Sequence, residues 1–371
     1  MSSPGSSPST GRSSFLVHIG PRKTGTSSIQ HALQSRRDAL RAQGVVYPGS
    51  GSQHHTVVNR FLGRRQMWEV DLEAAVEERP WRRMLREVGD APWGVVSTEV
   101  LSQARPDHVR RLIDSVDGRE PTVVVTYRPL EELLPSTWQQ LVKEGLREPL
   151  DSWSRSAVGD HPERSDAAFP RVLDLATLVE TWGAVVGPQN VAIVLVDRNH
   201  PGAIFEAFEQ LLGLPKDLLG SGATGPRKRS LSAQEAELLR QTNTELPRDA
   251  PAFDRYRLYR KRVLAGWLND HPPAAGDTRL TAPTDVVAAA RERSRHMVDH
   301  LQSMPAPPRI FGDLETLVPT GSIAADDPPP QQVSVLAAAQ LLAGAIRLRG
   351  TGAAGSGTSE SDDSSDSAEA D

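Results

Sequence analysis

Short apolar runs alternate along the first part of the chain with longer segments in which apolar residues recur every three or four positions. Four runs stand out: SFLVHI (14–19), WGVVST (93–98), TVVVTY (122–127) and NVAIVLV (190–196). Nearly continuous apolar runs of this length are typical of strands that are covered on both faces, as in a parallel sheet. The pattern therefore predicts four buried, parallel strands.

The segments between these runs have the spacing of amphipathic helices. They are residues 27–44, 105–116, 173–187 and 202–214. In the first of them Gly44 follows the last periodic residue, where a glycine often ends a helix. Because strands alternate with helices, we expect an α/β fold over residues 14–220, in which a doubly wound parallel sheet is flanked by helices.

Beyond this core the apolar spacing is helical, at residues 232–246, 256–270, 283–302 and 334–350. The first of these segments begins S-x-x-E at Ser232 and Glu235, which is the order of residues in a capping box. The last follows a proline-rich stretch, so it either docks on the rest of the protein or binds a partner. We expect residues 221–350 to form a helical C-terminal region that completes or covers a functional site.

The composition of both ends predicts disorder. Residues 1–13 are rich in Ser, Gly and Pro, and residues 351–371 carry six acidic residues and no basic one, so neither end has the apolar residues of a core. The six acidic residues of the tail account for the whole formal net charge of −5, so the rest of the chain is close to neutral. Binding of a nucleic acid polymer is therefore not expected.

Composition also excludes several kinds of site. The chain has no cysteine, which excludes disulfides, thiolate zinc sites and a cysteine nucleophile. The ten histidines are scattered, and we predict no metal site. The N-terminus lacks the apolar core of a signal peptide and no run is long enough to span a membrane, so we expect a cytoplasmic protein.

Candidate chemistry begins directly after the first strand, in HIGPRKTGTSSIQ. Gly20 lies at the strand end, Lys23 supplies a cation, and Gly25 removes a side chain where the backbone approaches an anion. The hydroxyls and N–H groups that follow open a helix, whose N-terminus favours phosphate oxygens. A triphosphatase loop, G-x-x-x-x-G-K-[ST], has its lysine after the glycine, whereas Lys23 precedes Gly25 and emerges nearer the outer end of a phosphate. Taken alone, the loop is also compatible with a turn that binds nothing.

A second anion motif follows the third strand, at Arg128 and, eight residues later, Ser136. Arginine offers a planar fork of donors to a phosphate, and serine offers a short donor from a helix. Both motifs lie at the carboxyl ends of predicted strands, where open α/β sheets bind ligands. The alternative is that Arg128 neutralises Glu131 or Glu132. Pro135 is discordant with the helix predicted here, and should kink it or mark the start of its regular part.

Together, GPRKTGTSS and the Arg128–Ser136 pair resemble the P-loop sulfotransferases, in particular a bacterial branch with W-Q-Q after the serine. The resemblance covers residues 14 to about 245. It implies a P-loop-type sheet and 3′-phosphoadenosine 5′-phosphosulfate (PAPS) as the sulfuryl donor, without a metal. It assigns the 3′-phosphate to Arg128 and Ser136. It also implies a late basic loop with Arg229 and Ser230, for which the alternative is a solvated run of charges. The residues assigned to the 5′-phosphosulfate are Arg22, Lys23, Thr24, Gly25, Thr26, Ser27 and Ser28.

The reaction implied by the resemblance is transfer of a sulfuryl group to a hydroxyl or amine of a small-molecule or glycan acceptor, such as a carbohydrate, lipid or natural product. Lys23 suits stabilisation of the bridging oxygen. The general base is left open between His54, His55 and Glu99, with His55 slightly favoured over His54 by the resemblance. Two alternatives remain: a P-loop kinase, and a non-catalytic nucleotide-binding protein.

Overall fold

The computed structural model describes residues 13–67, 70–116, 118–159, 172–197, 199–220, 230–245 and 278–322, together with residue 338. The chain divides into two compact units. The first consists of Met1–Leu141, Glu148–Arg227 and Thr281–Asp327, and the second of Val142–Arg147, Lys228–Leu280 and Pro328–Asp371. The sheet and every site residue discussed below except Arg229 and Ser230 belong to the first unit.

A six-stranded parallel sheet forms the centre of the first unit, and it confirms the predicted α/β class. Its strands are β1 (Ser14–Ile19), β2 (Val45–Val46), β5 (Trp93–Ser97), β6 (Glu120–Tyr127), β7 (Val191–Leu195) and β8 (Arg309–Phe311), in the order β2-β5-β1-β6-β7-β8. From β1 the chain moves first to one side and then to the other, so β1 lies at the change of direction, where such sheets bind ligands. A separate antiparallel hairpin pairs β3 (Arg64–Met67) with β4 (Val70–Glu73).

Helices follow the strands largely as predicted. They are α1 (Thr26–Ser35), α2 (Arg37–Ala42), α3 (His55–Phe61), α4 (Glu78–Val88), α5 (Pro106–Asp114), α6 (Leu130–Glu144), α7 (Leu150–Val158), α8 (Leu175–Val186), α9 (Ala203–Leu212), α10 (Ala233–Glu245) and α11 (Thr284–Ser303). The single helix predicted at 27–44 is two helices, because the backbone leaves the helical region at Arg36. Gly44 follows the second with φ 78, as a C-terminal glycine should. Helix α6 continues through Pro135, so this proline does not mark its start.

Both faces of the sheet are covered. On one face, Leu16, Val95 and Val124 pack in a buried cluster with residues of α1 and α9. On the other face, Phe15 meets the Trp81 ring of α4, with ring centroids 6.3 Å apart. Adjacent residues of a strand point to opposite faces, so this arrangement explains why the strands are apolar on both sides.

The first unit also takes in residues that the sequence assigned to the helical C-terminal region. Helix α11 packs on α7 and α8, with ion pairs from Arg155 to Asp285 (2.7 Å) and from Arg293 to Asp174 (3.1 Å). After α11, strand β8 pairs with β7 and extends the parallel sheet. A strand of three residues is too short to show an apolar pattern, which is why the sequence did not indicate it.

The second unit contains α10, whose predicted capping box forms. The Glu235 N–H donates to Ser232 Oγ at 3.1 Å, and the Ser232 N–H donates to the Glu235 carboxylate at 2.9 Å. The Asn243 amide donates to the carbonyls of Val142 and Leu146, at 2.8 and 2.9 Å. The helix predicted at 256–270, the helix predicted at 334–350 apart from the single helical residue 338, and the predicted disordered ends apart from Ser13 lie outside the described residues.

Candidate functional site

The loop between β1 and α1 begins with a close approach of two strands. Gly20 has φ 152, and a Cβ added to it would lie 2.5 Å from Thr126 Oγ1 and 2.6 Å from the Thr126 carbonyl oxygen. Any larger side chain would push β6 away from the loop. The absence of a side chain at Gly20 therefore allows the loop to lie against β6, the strand that leads to Arg128.

Lys23 adopts a backbone conformation that lysine rarely takes. Its φ is 73, in the left-handed region, and its side chain is half-buried. A non-glycine residue in this region carries local strain, which persists where the surrounding structure enforces it and is concentrated at functional sites. The loop thus holds a lysine in a fixed, costly conformation directly before the N-terminus of α1.

Gly25 is the N-cap of α1, with φ 80, and no side chain caps this end of the helix. The first turn has no acidic residue, Thr26 is buried, and Ser27 and Ser28 are exposed. A Cβ on Gly25 would lie 3.0 Å from Ile204 Cδ1, so the glycine is required by its conformation and by packing on α9. From the sequence, a glycine is expected here because the backbone approaches an anion, whereas the structure shows a requirement for positive φ and for space beside Ile204. The N–H groups of the first turn still give this end of α1 the partial positive charge that favours anions.

The sequence predicted that the Thr24 hydroxyl binds the ligand, but this side chain faces inward. It is fully buried, and its hydroxyl donates to the Pro21 carbonyl at 2.7 Å. The same oxygen lies 2.9 Å from Thr126 Oγ1. The Thr24 hydroxyl is therefore engaged within the protein, and only its backbone remains for a ligand.

Arg128 and Ser136 are in direct contact. Arg128 follows β6, and its Nη2 donates to Ser136 Oγ at 2.6 Å and to the Glu132 carbonyl at 3.1 Å. The Glu132 carboxylate lies 3.8 Å from Nη1, which is too long for a hydrogen bond, and Glu131 pairs with Arg291 instead. The structure thus brings the predicted pair together. The alternative that Arg128 neutralises Glu131 is not supported, whereas the ion pair with Glu132 at 3.8 Å shows that Arg128 also faces this acid.

Glu99 follows β5, the strand next to β1 on the side away from Arg128. It is half-buried, and its Oε2 accepts from Gln30 Nε2 of α1 at 3.4 Å. The Gln30 side chain is 1% exposed and its Oε1 has no hydrogen-bond partner. The Glu99 carboxylate therefore lies beside the helix whose N-terminus follows Lys23, and next to an unsatisfied amide oxygen.

The two adjacent histidines have different environments. The His54 ring is buried, accepts from the Ser97 N–H at 3.1 Å and donates to the Pro48 carbonyl at 2.9 Å. The backbone N–H of His54 also donates to the backbone carbonyl of Ser97, at 3.4 Å. Burial lowers the pKa of His54 to about 4. Of the two, only His55, which is exposed at the start of α3, presents an imidazole to solvent.

His54 has a structural reason for being buried. Strand β2 pairs with β5 only at Trp93 and Gly94, so Ser97 lies beyond the end of its neighbour. His54 satisfies both backbone groups of Ser97 in place of a longer β2. This contact also holds the N-terminus of α3, and with it His55, at the carboxyl end of β5.

Three buried polar residues were missed by the sequence analysis. His18, Ser97 and Thr126 lie near the ends of β1, β5 and β6, all fully buried. His18 Nδ1 is 2.7 Å from Ser97 Oγ, and His18 Nε2 is 3.2 Å from Thr126 Oγ1. Burial lowers the pKa of His18 to about 3. The available indication was that three neighbouring apolar runs each have a polar residue at the second-to-last position.

The predicted late basic loop is only partly described. Arg229 lies outside the described residues, and Ser230 is exposed and belongs to the second unit. Their role at the site stays a prediction. Arg22, by contrast, is half-buried in the turn that precedes Lys23.

His296 and His300 have the four-residue helical spacing of a metal-binding pair, which the sequence analysis overlooked. Each faces one carboxylate: His296 Nε2 lies 3.2 Å from Glu292, and His300 Nε2 lies 2.8 Å from Glu180. Within the described ranges, no group of three or more His, Cys, Asp or Glu is placed to hold a metal ion. None of the helices described here is both long and apolar enough to cross a membrane.

Comparisons with known proteins are few. No protein-family model matches the sequence, and no curated protein is significantly similar to it. Among solved structures, the chain is similar to the crystal structure of a sulfotransferase from Alicyclobacillus acidocaldarius, with 16% identity and a TM-score of 0.36, over 72% of this chain and 99% of that chain. At this TM-score the similarity does not support an inference about the function of this protein. Inferences about function therefore rest on the residues described above.

Proposed function

We propose that this protein is a PAPS-dependent sulfotransferase. One observation carries the proposal: two anion-binding motifs lie at the carboxyl ends of neighbouring parallel strands, β1 and β6, and are joined by a hydrogen bond between Thr24 and Thr126. A ligand with an anionic group at each end matches this arrangement, and the resemblance of both motifs to sulfotransferases favours PAPS.

The residues present fit such a donor. The N-terminus of α1 has no capping side chain and no acidic residue in its first turn, so no side chain of this turn repels an anion. After the neighbouring strand β6, Arg128 and Ser136 of α6 already share a hydrogen bond of 2.6 Å, which pre-organises their donors for a phosphate. We assign the 5′-phosphosulfate to the loop and the 3′-phosphate to this pair.

The donor supplies a sulfuryl group: a bond forms between the acceptor oxygen and sulfur, the bond from sulfur to the bridging oxygen breaks, and adenosine 3′,5′-bisphosphate leaves with the electron pair. Lys23 stabilises the charge that develops on the bridging oxygen. Its fixed backbone conformation contributes because a pre-oriented cation does not have to reorganise during the reaction.

A general base takes the proton of the acceptor, and Glu99 fits this role best. It lies two residues after the end of β5, on the side of β1 opposite to Arg128, and contacts α1 through Gln30. His54 does not fit, because both of its ring nitrogens are engaged within the protein. His55 is exposed beside the same strand end, so we assign it to acceptor binding.

Product release tests the proposal directly. The protein is incubated with PAPS and a panel of sugars, lipids and phenols, with and without EDTA, and adenosine 3′,5′-bisphosphate is quantified. We expect acceptor-dependent release that EDTA does not abolish. Turnover of ATP that requires Mg²⁺, with none of PAPS, would instead establish a kinase. Tight binding of PAPS without release for any acceptor would point to a non-catalytic nucleotide-binding protein.

A further inference from the structure

A chain of buried hydrogen bonds runs beneath the candidate site and crosses three adjacent strands. It links Ser97 of β5 to His18 of β1, His18 to Thr126 of β6, and Thr126 to Thr24 of the loop. These four side chains are fully buried. They form the layer directly above the apolar residues Leu16, Val95 and Val124, which lie two positions earlier on the same face of each strand.

The donors and acceptors of the chain can be assigned in one direction. The Thr24 hydroxyl donates to the Pro21 carbonyl at 2.7 Å, so Thr24 Oγ1 accepts from Thr126 at 2.9 Å. The Thr126 hydroxyl has one hydrogen, which is used there rather than at the Ile19 carbonyl, 3.4 Å away. His18 Nε2 must then donate to Thr126, and His18 Nδ1 must accept from the Ser97 hydroxyl.

Thr126 thus stands between the two anion-binding motifs. Its side chain contacts Thr24, the neighbour of Lys23, and Arg128 lies two residues further along the chain, directly after β6. Its Oγ1 and carbonyl oxygen are also the atoms that a Cβ on Gly20 would meet at 2.5 and 2.6 Å. The loop is therefore set against β6 at Thr126, and His18 fixes the rotamer of this threonine from below, where its own ring packs against Phe208.

We propose that Thr126, oriented by His18, is a positioning residue that fixes the separation of the two anion-binding motifs. A fixed separation makes binding at the second motif effectively intramolecular once the first is filled, so it favours a ligand with a phosphate at each end over a ligand with one. The inference rests on the proposed function in taking adenosine 3′,5′-bisphosphate as the ligand.

The test compares two ligands and three variants by calorimetric titration. Adenosine 3′,5′-bisphosphate engages both motifs, whereas adenosine 5′-monophosphate engages only the loop. Thr126→Val keeps the shape of the side chain but removes the hydroxyl, and Thr126→Ser keeps the hydroxyl. Thr122→Val is the matched control, because Thr122 lies on the same strand and the same face but four residues before the chain of hydrogen bonds.

We expect the wild type to prefer the bisphosphate, and Thr126→Val to reduce the ratio of the two dissociation constants at least about fivefold. Thr126→Ser and Thr122→Val should retain the ratio. If Thr126→Val weakens both ligands equally, or neither, the inference is overturned while the proposed function stands. If the wild type binds neither ligand, the proposed function fails and the inference fails with it.

A second measurement does not depend on how the variants bind. Nitrogen NMR of the labelled imidazoles distinguishes the two neutral tautomers of His18. We expect the proton on Nε2 in the wild type, and a shift of this resonance in Thr126→Val but not in Thr122→Val. A proton on Nδ1 would reverse the chain and leave Thr126 with no hydrogen for Thr24, which would overturn the inference.

Discussion

Two imidazoles buried in the neutral form, those of His18 and His54, should make the protein lose stability in mild acid. Burial lowers the pKa of His18 to about 3 and the pKa of His54 to about 4, from an ordinary value of 6.5. Below pH 6.5 the unfolded chain therefore takes up protons that the folded protein does not. The stability contributed by the neutral rings is complete above this pH, and is lost as the pH falls toward 4 for His54 and 3 for His18.

The expected loss is a substantial fraction of the stability of a typical domain, which is about 5–15 kcal/mol. One unit of pKa corresponds to about 1.4 kcal/mol, and pH 5 lies about 1.5 units below the pKa in the unfolded chain. Each ring then lowers the free energy of unfolding by about 2 kcal/mol, and both together by about 4 kcal/mol. Protonated His54 would also lose the bond from the Ser97 N–H, because its Nδ1 would become a donor facing a donor.

Urea unfolding at pH 7, 6 and 5 measures this loss. His54→Gln should be less stable than the wild type at pH 7, but its free energy of unfolding should fall by about 2 kcal/mol less between pH 7 and 5. His55→Gln is the matched control, because it changes an exposed imidazole at the neighbouring position. An equal decline in His54→Gln and the wild type would refute the reasoning, since other titrating groups are common to both proteins.

Three further predictions concern the loop and the base. Lys23→Ala and Lys23→Gly should both abolish turnover of PAPS. In urea the glycine variant should be more stable than the alanine variant by about 1 kcal/mol, because glycine adopts a positive φ without strain. Equal stability of the two variants would show that Lys23 is unstrained. Glu99→Gln should lower kcat about 10²-fold to 10⁴-fold and His55→Gln less than about tenfold in steady-state assays; the reverse order would make His55 the base. Gly20→Ala should destabilise the protein by about 1–3 kcal/mol or more, because its Cβ would lie 2.5 Å from an oxygen of β6, whereas Gly321→Ala, with open space around it, should not.

The central strands of the fold were predictable because each is an apolar run followed by an amphipathic segment. The same reasoning failed for β2 and β8, which have two and three residues and are defined by pairing with a neighbour rather than by pattern. It also joined α1 and α2 into one helix, because the apolar spacing continues across Arg36 while the backbone does not.

At the candidate site, local patterns were informative and long-range contacts were not. The spacing of Arg128 and Ser136 singled out two residues whose side chains are in contact, because one helical segment connects them. The link from His18 to Thr126 spans 108 positions and depends on the register of β1 against β6, which no pattern in the sequence encodes. The inward turn of Thr24 depends on the same contact, so its predicted ligand-binding hydroxyl could not be judged from the loop alone.

Binding of adenosine 3′,5′-bisphosphate to the wild type and to Arg128→Ala tests the central claim most directly. Arg82→Ala, which removes an exposed arginine paired with Glu78 on α4, controls for the loss of one positive charge. We predict that the wild type binds, that Arg82→Ala binds equally well, and that Arg128→Ala loses roughly 2–4 kcal/mol, or about 30-fold to 1,000-fold in Kd. No binding by the wild type would contradict the proposed function. Equal binding by Arg128→Ala would contradict the assignment of the second phosphate to this residue.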